Sequence, residues 1–129
     1  MPHAALNLLR ILAGLLFMQH GAQKLFAVLG RDAPAAAYSL HWLAGVFEWW
    51  GGLLIVLGLF TRPVAFLLAG QMMVAYFMSH APRGLVPIEN GGELALLYFA
   101  VFLYISARGG GAFSLDGLLR ARKRGNPAG

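Results

Sequence analysis

From Pro63 to Ser79 the chain runs 17 residues without a charged side chain. A helix crossing the hydrocarbon core of a bilayer needs about 17 to 25 predominantly apolar residues, so this segment is long enough to span. A helix of a water-soluble bundle keeps a polar stripe, and Val64 through Ala69 are apolar on every face. Strands fit no better, because the apolar runs do not alternate and exceed a normal strand length. A second uncharged run, Leu94 to Ala107, covers 14 residues and reaches spanning length if Gly91, Gly92 and Glu93 form its first turn. Two more segments are long enough but carry charge: Ala5 to Ala27 with Arg10, His20 and Lys24, and Leu40 to Phe60 with His41 and Glu48. The expected fold is all-α, an integral membrane four-helix bundle. One transmembrane domain would occupy 1–129, with spans about 5–27, 40–60, 63–80 and 91–107 and a short basic C-terminal tail.

Composition narrows the function classes. Hydrophobic residues make up 59% of the chain and charged residues 12%, and Cys is absent, which removes disulfides, thiolate metal ligands and thiol redox steps carried by this chain. The +5 formal charge does not indicate nucleic acid, because Arg120, Arg122, Lys123 and Arg124 form one terminal patch and the other cations are scattered among apolar stretches. Arg10 precedes an apolar stretch as in a signal peptide, but no small-x-small site follows and more spans come after it. The first span is therefore read as a retained helix.

The connections look short. Loop one, 28–39, holds Pro34 and three alanines, room for a short surface helix. Gly58 and the stretch Thr61 to Pro63 read as stop and restart, with Pro63 at a first helical position. Loop three, 81–92, carries Pro82, Gly84, Pro87 and a Gly pair, which is turn chemistry. Lys and Arg near span ends number seven on the side of the termini and three on the other, which predicts both termini in the cytoplasm. Trp42, Trp49 and Trp50 suit an interfacial anchor. Ser114 suits a helix cap, with Leu115, Leu118 and Leu119 facing one way; such a helix would lie on an anionic leaflet, or the tail would stay solvated.

Depth gathers the polar residues. With alternating spans, His20, Lys24, Glu48, His80 and Glu93 share the outer half, and ionisable groups at membrane depth face the bundle interior or the headgroups and pair. On an ideal helix Asn7, Arg10, His20 and Lys24 occupy an arc of about 140°, opposite Leu8, Leu12, Leu15 and Phe26. The five residues His20, Lys24, Glu48, His80 and Glu93 form the candidate cluster, with Arg10, Asn90 and Arg62 as secondary candidates. Structural roles compete with functional ones: Asn90 and Glu93 have capping-box spacing, Lys24 and His80 suit helix C-termini, and Arg10, Arg62 and Arg108 can orient the bundle. Glu48 lies deepest and is hardest to explain as a cap. A His20 and His80 pair raises haem or metal, but no E-x-x-H is present and ligands are few, so the reading is against both. Gln19, Gln23 and Gln71 can bond across helices or line a cavity, Gln19 and Gln23 toward a second helix. Ala65 with Ala69, and Ala75 with Ser79, favour close helix approach or an oligomer. No P-loop, dinucleotide fingerprint, G-x-S-x-G, H-E-x-x-H or C-x-x-C occurs.

These pieces together resemble the DoxX family of small four-helix bacterial membrane proteins. The resemblance rests on Arg10 to Gly14, Phe17, His20, Gly21, Lys24 and Leu25; on Glu48, Gly51, Gly52 and Leu57 to Arg62; on His80 and Asn90 to Glu93; and on Ser114 to Asp116. It implies a multi-pass protein of the bacterial inner membrane, a subunit or partner of membrane oxidoreductases, some of them quinone-linked. Quinone is thus the cofactor candidate, a membrane redox protein and the lipid bilayer the partners, with homo-oligomers open. No catalytic role transfers with the resemblance. Two alternatives stand beside a redox subunit: a structural or assembly factor whose polar layer locks the bundle, and a small-solute carrier or channel.

Overall fold

The structure, a computed structural model, describes residues 2–111 and 113–125. α1 covers Pro2–Phe26, α2 Leu40–Leu57 and α3 Thr61–Arg83. A one-turn helix, α4, covers Pro87–Asn90, α5 Glu93–Arg108 and α6 Leu115–Gly125. Three helices, His3–Phe26, Leu40–Leu57 and Thr61–Arg83, are long and apolar enough to cross a membrane. Only 28% to 33% of each is buried within the protein, and Leu8, Phe66, Val74, Phe77 and Leu97 stand exposed. Apolar surface of that extent needs lipid or a partner to cover it. α5 is shorter than the sequence suggested, at 16 residues or about 24 Å. Gly91 takes a left-handed φ of 76° that closes α4, so the glycine pair precedes α5 instead of forming its first turn.

α1 packs chiefly against α2, and α3 against α5. The first interface is built on glycines seven residues apart. A Cβ at Gly14 would lie 2.8 Å from the Gly52 carbonyl oxygen, and one at Gly21 would lie 2.8 Å from that of Gly45 and 2.5 Å from the Trp49 nitrogen. The two backbones therefore touch, antiparallel, with no side chain between them. In the second pair Ala65 and Ala69 are buried, whereas Ser79 is exposed, so Ser79 does not draw two helices together within the protomer. Between the pairs Phe17, Ile55, Leu68, Phe102 and Ile105 are almost wholly buried and fill the middle with apolar side chains.

The connections differ from expectation in three places. No helix forms over 27–39; the Ala35 N–H returns to the Lys24 carbonyl at 2.7 Å, which uses an alanine of the expected helix to close the loop. Ser39 does cap α2, its hydroxyl accepting from Trp42 N–H at 3.1 Å. Loop three holds helix as well as turn, because Pro87 supplies a ready first position for α4. Pro63 sits third in α3, which starts at Thr61 after Phe60 in a left-handed conformation.

At the end of the bundle where α1 begins and α6 lies, the terminal end, Arg10 and Asp116 secure this reversal. Arg10 is 1% exposed. Its Nη1 donates to the carbonyls of Ile55 at 2.8 Å and Val56 at 2.6 Å in the last turn of α2, the first of which also accepts from Gly58 N–H at 3.1 Å, and its Nη2 donates to the Phe113 carbonyl. Gly58 then turns the chain at φ 67°. Asp116 accepts from Phe60 N–H at 3.0 Å and Thr61 N–H at 2.9 Å, capping α3 from outside its own sequence. Ser114 caps α6, its Oγ accepting from Gly117 N–H at 3.0 Å. Burial pushes the Asp116 carboxyl up, but the N–H donors at Thr61 and Phe60, with the charge of Arg120, outweigh it and hold the group below the usual carboxylate range.

Gly21→Ala is expected to destabilise the protein in detergent by about 1–3 kcal/mol, the cost of overpacking, whereas Gly70→Ala, where an added Cβ meets nothing within 4 Å, leaves melting unchanged or raises it. Thermal unfolding compares the two. A depressed carboxyl stabilises the fold above its unfolded pKa and loses that contribution as pH falls through the folded value. Asp116→Asn should therefore melt below wild type at pH 7, with the gap closing as pH drops below about 4.

Candidate functional site

At the opposite end, Lys24 in the last turn of α1 meets Glu48 on α2. The Nζ donates to Oε1 at 2.7 Å and to Oε2 at 2.8 Å, the one ion pair among the described residues. Glu48 is 2% exposed, and the Lys24 side chain 22%. Two local features make room for the pair. Gly45 leaves space beside Lys24, whose Cβ would lie 2.9 Å from a Cβ there. Glu48 stands in a π-helical stretch, Phe47–Gly51, a widened turn that recurs at functional sites.

One turn before Lys24, half-buried His20 sets its ring edge-on to Tyr98 of α5, centroids 5.9 Å apart. Tyr98 in turn packs on Phe17 and Phe102. Gln19, His20, Gln23 and Leu29 line a cleft of about 250 Å³ open to the surroundings. Gln23 does not reach a second helix: its Nε2 donates to the Leu29 carbonyl at 2.8 Å, because the loop after α1 folds back within its reach. Gln19 is exposed. Gln71 does cross between helices, toward the Ala44 carbonyl at 3.5 Å.

The other candidates gather elsewhere. His80, at the end of a second π-helical stretch, Tyr76–His80, shares a hydrogen bond of 3.2 Å between Nδ1 and the Asn90 carbonyl. Asn90 is 1% exposed; its Nδ2 donates to Tyr76 Oη at 3.1 Å and the Gly84 carbonyl at 2.9 Å, and its Oδ1 accepts from Gly92 N–H at 2.8 Å. Asn90 thus braces the loop between α3 and α5. It does not form the capping box expected with Glu93, since the N-cap of α5 is Gly92 and the left-handed Gly91 puts Asn90 outside the helix. Glu93 is exposed in the first turn of α5. Two clusters replace a single ring: Lys24 and Glu48 with His20 nearby, and His80 with Asn90. Arg10 belongs to the opposite end, as does Arg62, which is exposed beside Gly109.

This geometry restricts the chemistry. Lys24 and Glu48 satisfy each other, and the polar groups lining the cleft are Gln19, His20 and Gln23, the last with its Nε2 already engaged by the Leu29 carbonyl. Among the described residues no three His, Asp or Glu side chains gather as metal ligands. The buried apolar side chains of Phe17, Ile55, Leu68, Phe102 and Ile105 lie between the polar groups of the two ends. Sequence reasoning missed Tyr98, which lies in an uncharged run where only its hydroxyl marks it, and gave Asp116 no role beyond its place in the resemblance.

A DoxX family model matches residues 5–81, which takes in α1, α2 and most of α3, with Arg10, His20, Lys24, Glu48 and His80. An uncharacterized protein of Haemophilus influenzae is 43% identical over 118 residues, covering 86% of this chain and 87% of its own. No solved structure matches. The chain belongs to the DoxX family and is a multi-pass integral protein of the bacterial inner membrane.

Proposed function

We propose that this DoxX protein serves a membrane oxidoreductase system as a non-catalytic subunit that holds a quinone headgroup in the cleft at His20. The carrying observation is that a polar cleft, with Gln19 and His20 facing it, opens within the apolar surface of a spanning helix. An imidazole and a carboxamide are hydrogen-bond donors suited to quinone carbonyls, and Tyr98 holds the His20 ring from behind. A bound quinone would supply reversible two-electron chemistry. This chain's part is to orient the headgroup, with His20 able to hold a proton at a ring nitrogen. The Lys24 and Glu48 pair fixes the helix that presents His20. In this reading the chain crosses the membrane four times with both termini in the cytoplasm, supported by the excess of Lys and Arg at the terminal end.

Purified in mild detergent with native lipids, the protein is expected to retain quinone, and Gln19→Ala with His20→Ala to lower the retained amount roughly tenfold, the weight of one or two hydrogen bonds, at unchanged melting temperature. Quinone-free protein, or retention indifferent to both changes, removes the reading.

A second reading, an assembly or structural factor, is favoured by the bidentate closure of the Lys24 and Glu48 pair across the glycine seam. Glu48→Ala leaves the ammonium without its anion and should destabilise by about 3 kcal/mol, the low end for a buried pair because Lys24 is 22% exposed. Lys24→Met with Glu48→Leu should recover most of that loss. Altered quinone retention in Glu48→Gln at unchanged melting favours the redox reading instead.

A further inference from the structure

The terminal end carries a second cleft, of about 310 Å³, between the start of α3 and one face of α6. Arg62 comes from α3, Arg120 and Lys123 from α6, and Asp116 lies among them. Three cations therefore face one carboxylate, whose oxygens are already engaged by the Phe60 and Thr61 N–H groups. None of the three cations donates a hydrogen bond or joins an ion pair among the described residues. The floor is backbone at Gly109 and Gly110; an added Cβ at Gly109 would come 3.1 Å from Arg62 Nε, so the bare backbone lets the guanidinium lie along the wall.

Apolar groups complete the same cleft. Phe60 is 63% exposed and Leu119 48% exposed, both beside the cations. On α6 Leu115, Leu118 and Leu119 share an arc of about 100°, and all three stand exposed. The cleft lies where spanning helices end, the depth at which headgroup phosphates lie. Cations with converging donors select phosphate oxygens, and the apolar wall selects a phosphate that carries acyl chains over one free in solution.

We propose that the cleft formed by Arg62, Arg120 and Lys123 is a binding site for the phosphodiester headgroup of an anionic glycerophospholipid, whose chains lie against Phe60 and Leu119. The Arg10 and Asp116 contacts set its shape, because they fix the start of α6 against the start of α3. The lipid thereby bridges the spanning bundle and the surface helix.

The full chain in detergent is titrated with phosphatidylglycerol, phosphatidylcholine or inorganic phosphate while Trp fluorescence follows thermal unfolding. Phosphatidylglycerol is expected to raise the melting temperature, and the other two to leave it in place. Arg62→Gln with Arg120→Gln and Lys123→Gln should need roughly tenfold or more phosphatidylglycerol for half the shift, whereas Arg83→Gln, at the far end, responds as wild type. Native mass spectrometry counts the lipids retained, so a variant with altered baseline stability is still read directly: wild type keeps one more phosphatidylglycerol than the triple variant. An equal response or equal lipid count in the two proteins overturns the site. A shift with phosphate alone assigns the cleft to a soluble anion, and an equal shift with phosphatidylcholine reduces it to general lipid packing; either overturns the proposal.

Discussion

Where one helix stops and the next begins, the last carbonyls and the first N–H groups have no partner inside their own helix, and a tight reversal packed against protein meets them with donors and acceptors of the chain itself. Arg10 and Asp116 do this for the tightest reversal in the chain. One guanidinium takes the last carbonyls of α2 and, on its other side, the Phe113 carbonyl ahead of α6. One carboxylate takes the first N–H groups of α3. In the link of Gly58, Leu59 and Phe60, the Gly58 and Leu59 N–H groups close on the Ile55 and Leu54 carbonyls, while the Gly58 carbonyl and the Phe60 N–H are both met by Asp116 from far along the sequence. The direction of α3, and with it the pairing of α3 with α5, follows from that anchoring.

The polar groups at the other end obey the same demand locally. Lys24 and Glu48 close on each other across the glycine seam, while His80 and Asn90 close on the backbone of the loop between α3 and α5. The pairing of α1 with α2 and of α3 with α5 keeps these two groups apart. Tyr98 and Tyr76 stand at the edge of each, an aromatic ring beside a histidine in both cases.

Much of the scaffold was legible. Ser39 and Ser114 cap the helices they precede, Gly58 stops α2, and the uncharged run after Pro63 forms the long third helix, because caps and apolar runs act on near neighbours in sequence. Depth was legible too, since counting residues along antiparallel helices places Lys24, Glu48 and His80 toward one end. Lateral placement was not. Which helix faces which depends on backbone approach at Gly14, Gly21, Gly45 and Gly52, and a seven-residue recurrence of glycine on each of two helices reads as two unrelated patterns until the helices are laid together. The π-helical turns at Phe47–Gly51 and Tyr76–His80 also rotate residues away from the positions an ideal wheel assigns them. Asn90 illustrates the remaining gap: its spacing from Glu93 fits a cap, yet the left-handed Gly91 turns it inward to the loop.

The plug of Phe17, Ile55, Leu68, Phe102 and Ile105 draws at least one side chain from each of α1, α2, α3 and α5. Dispersion between closely fitted apolar surfaces is what joins the two helix pairs at mid-length, so one pair is kept from sliding along the other mainly by how these five side chains interlock.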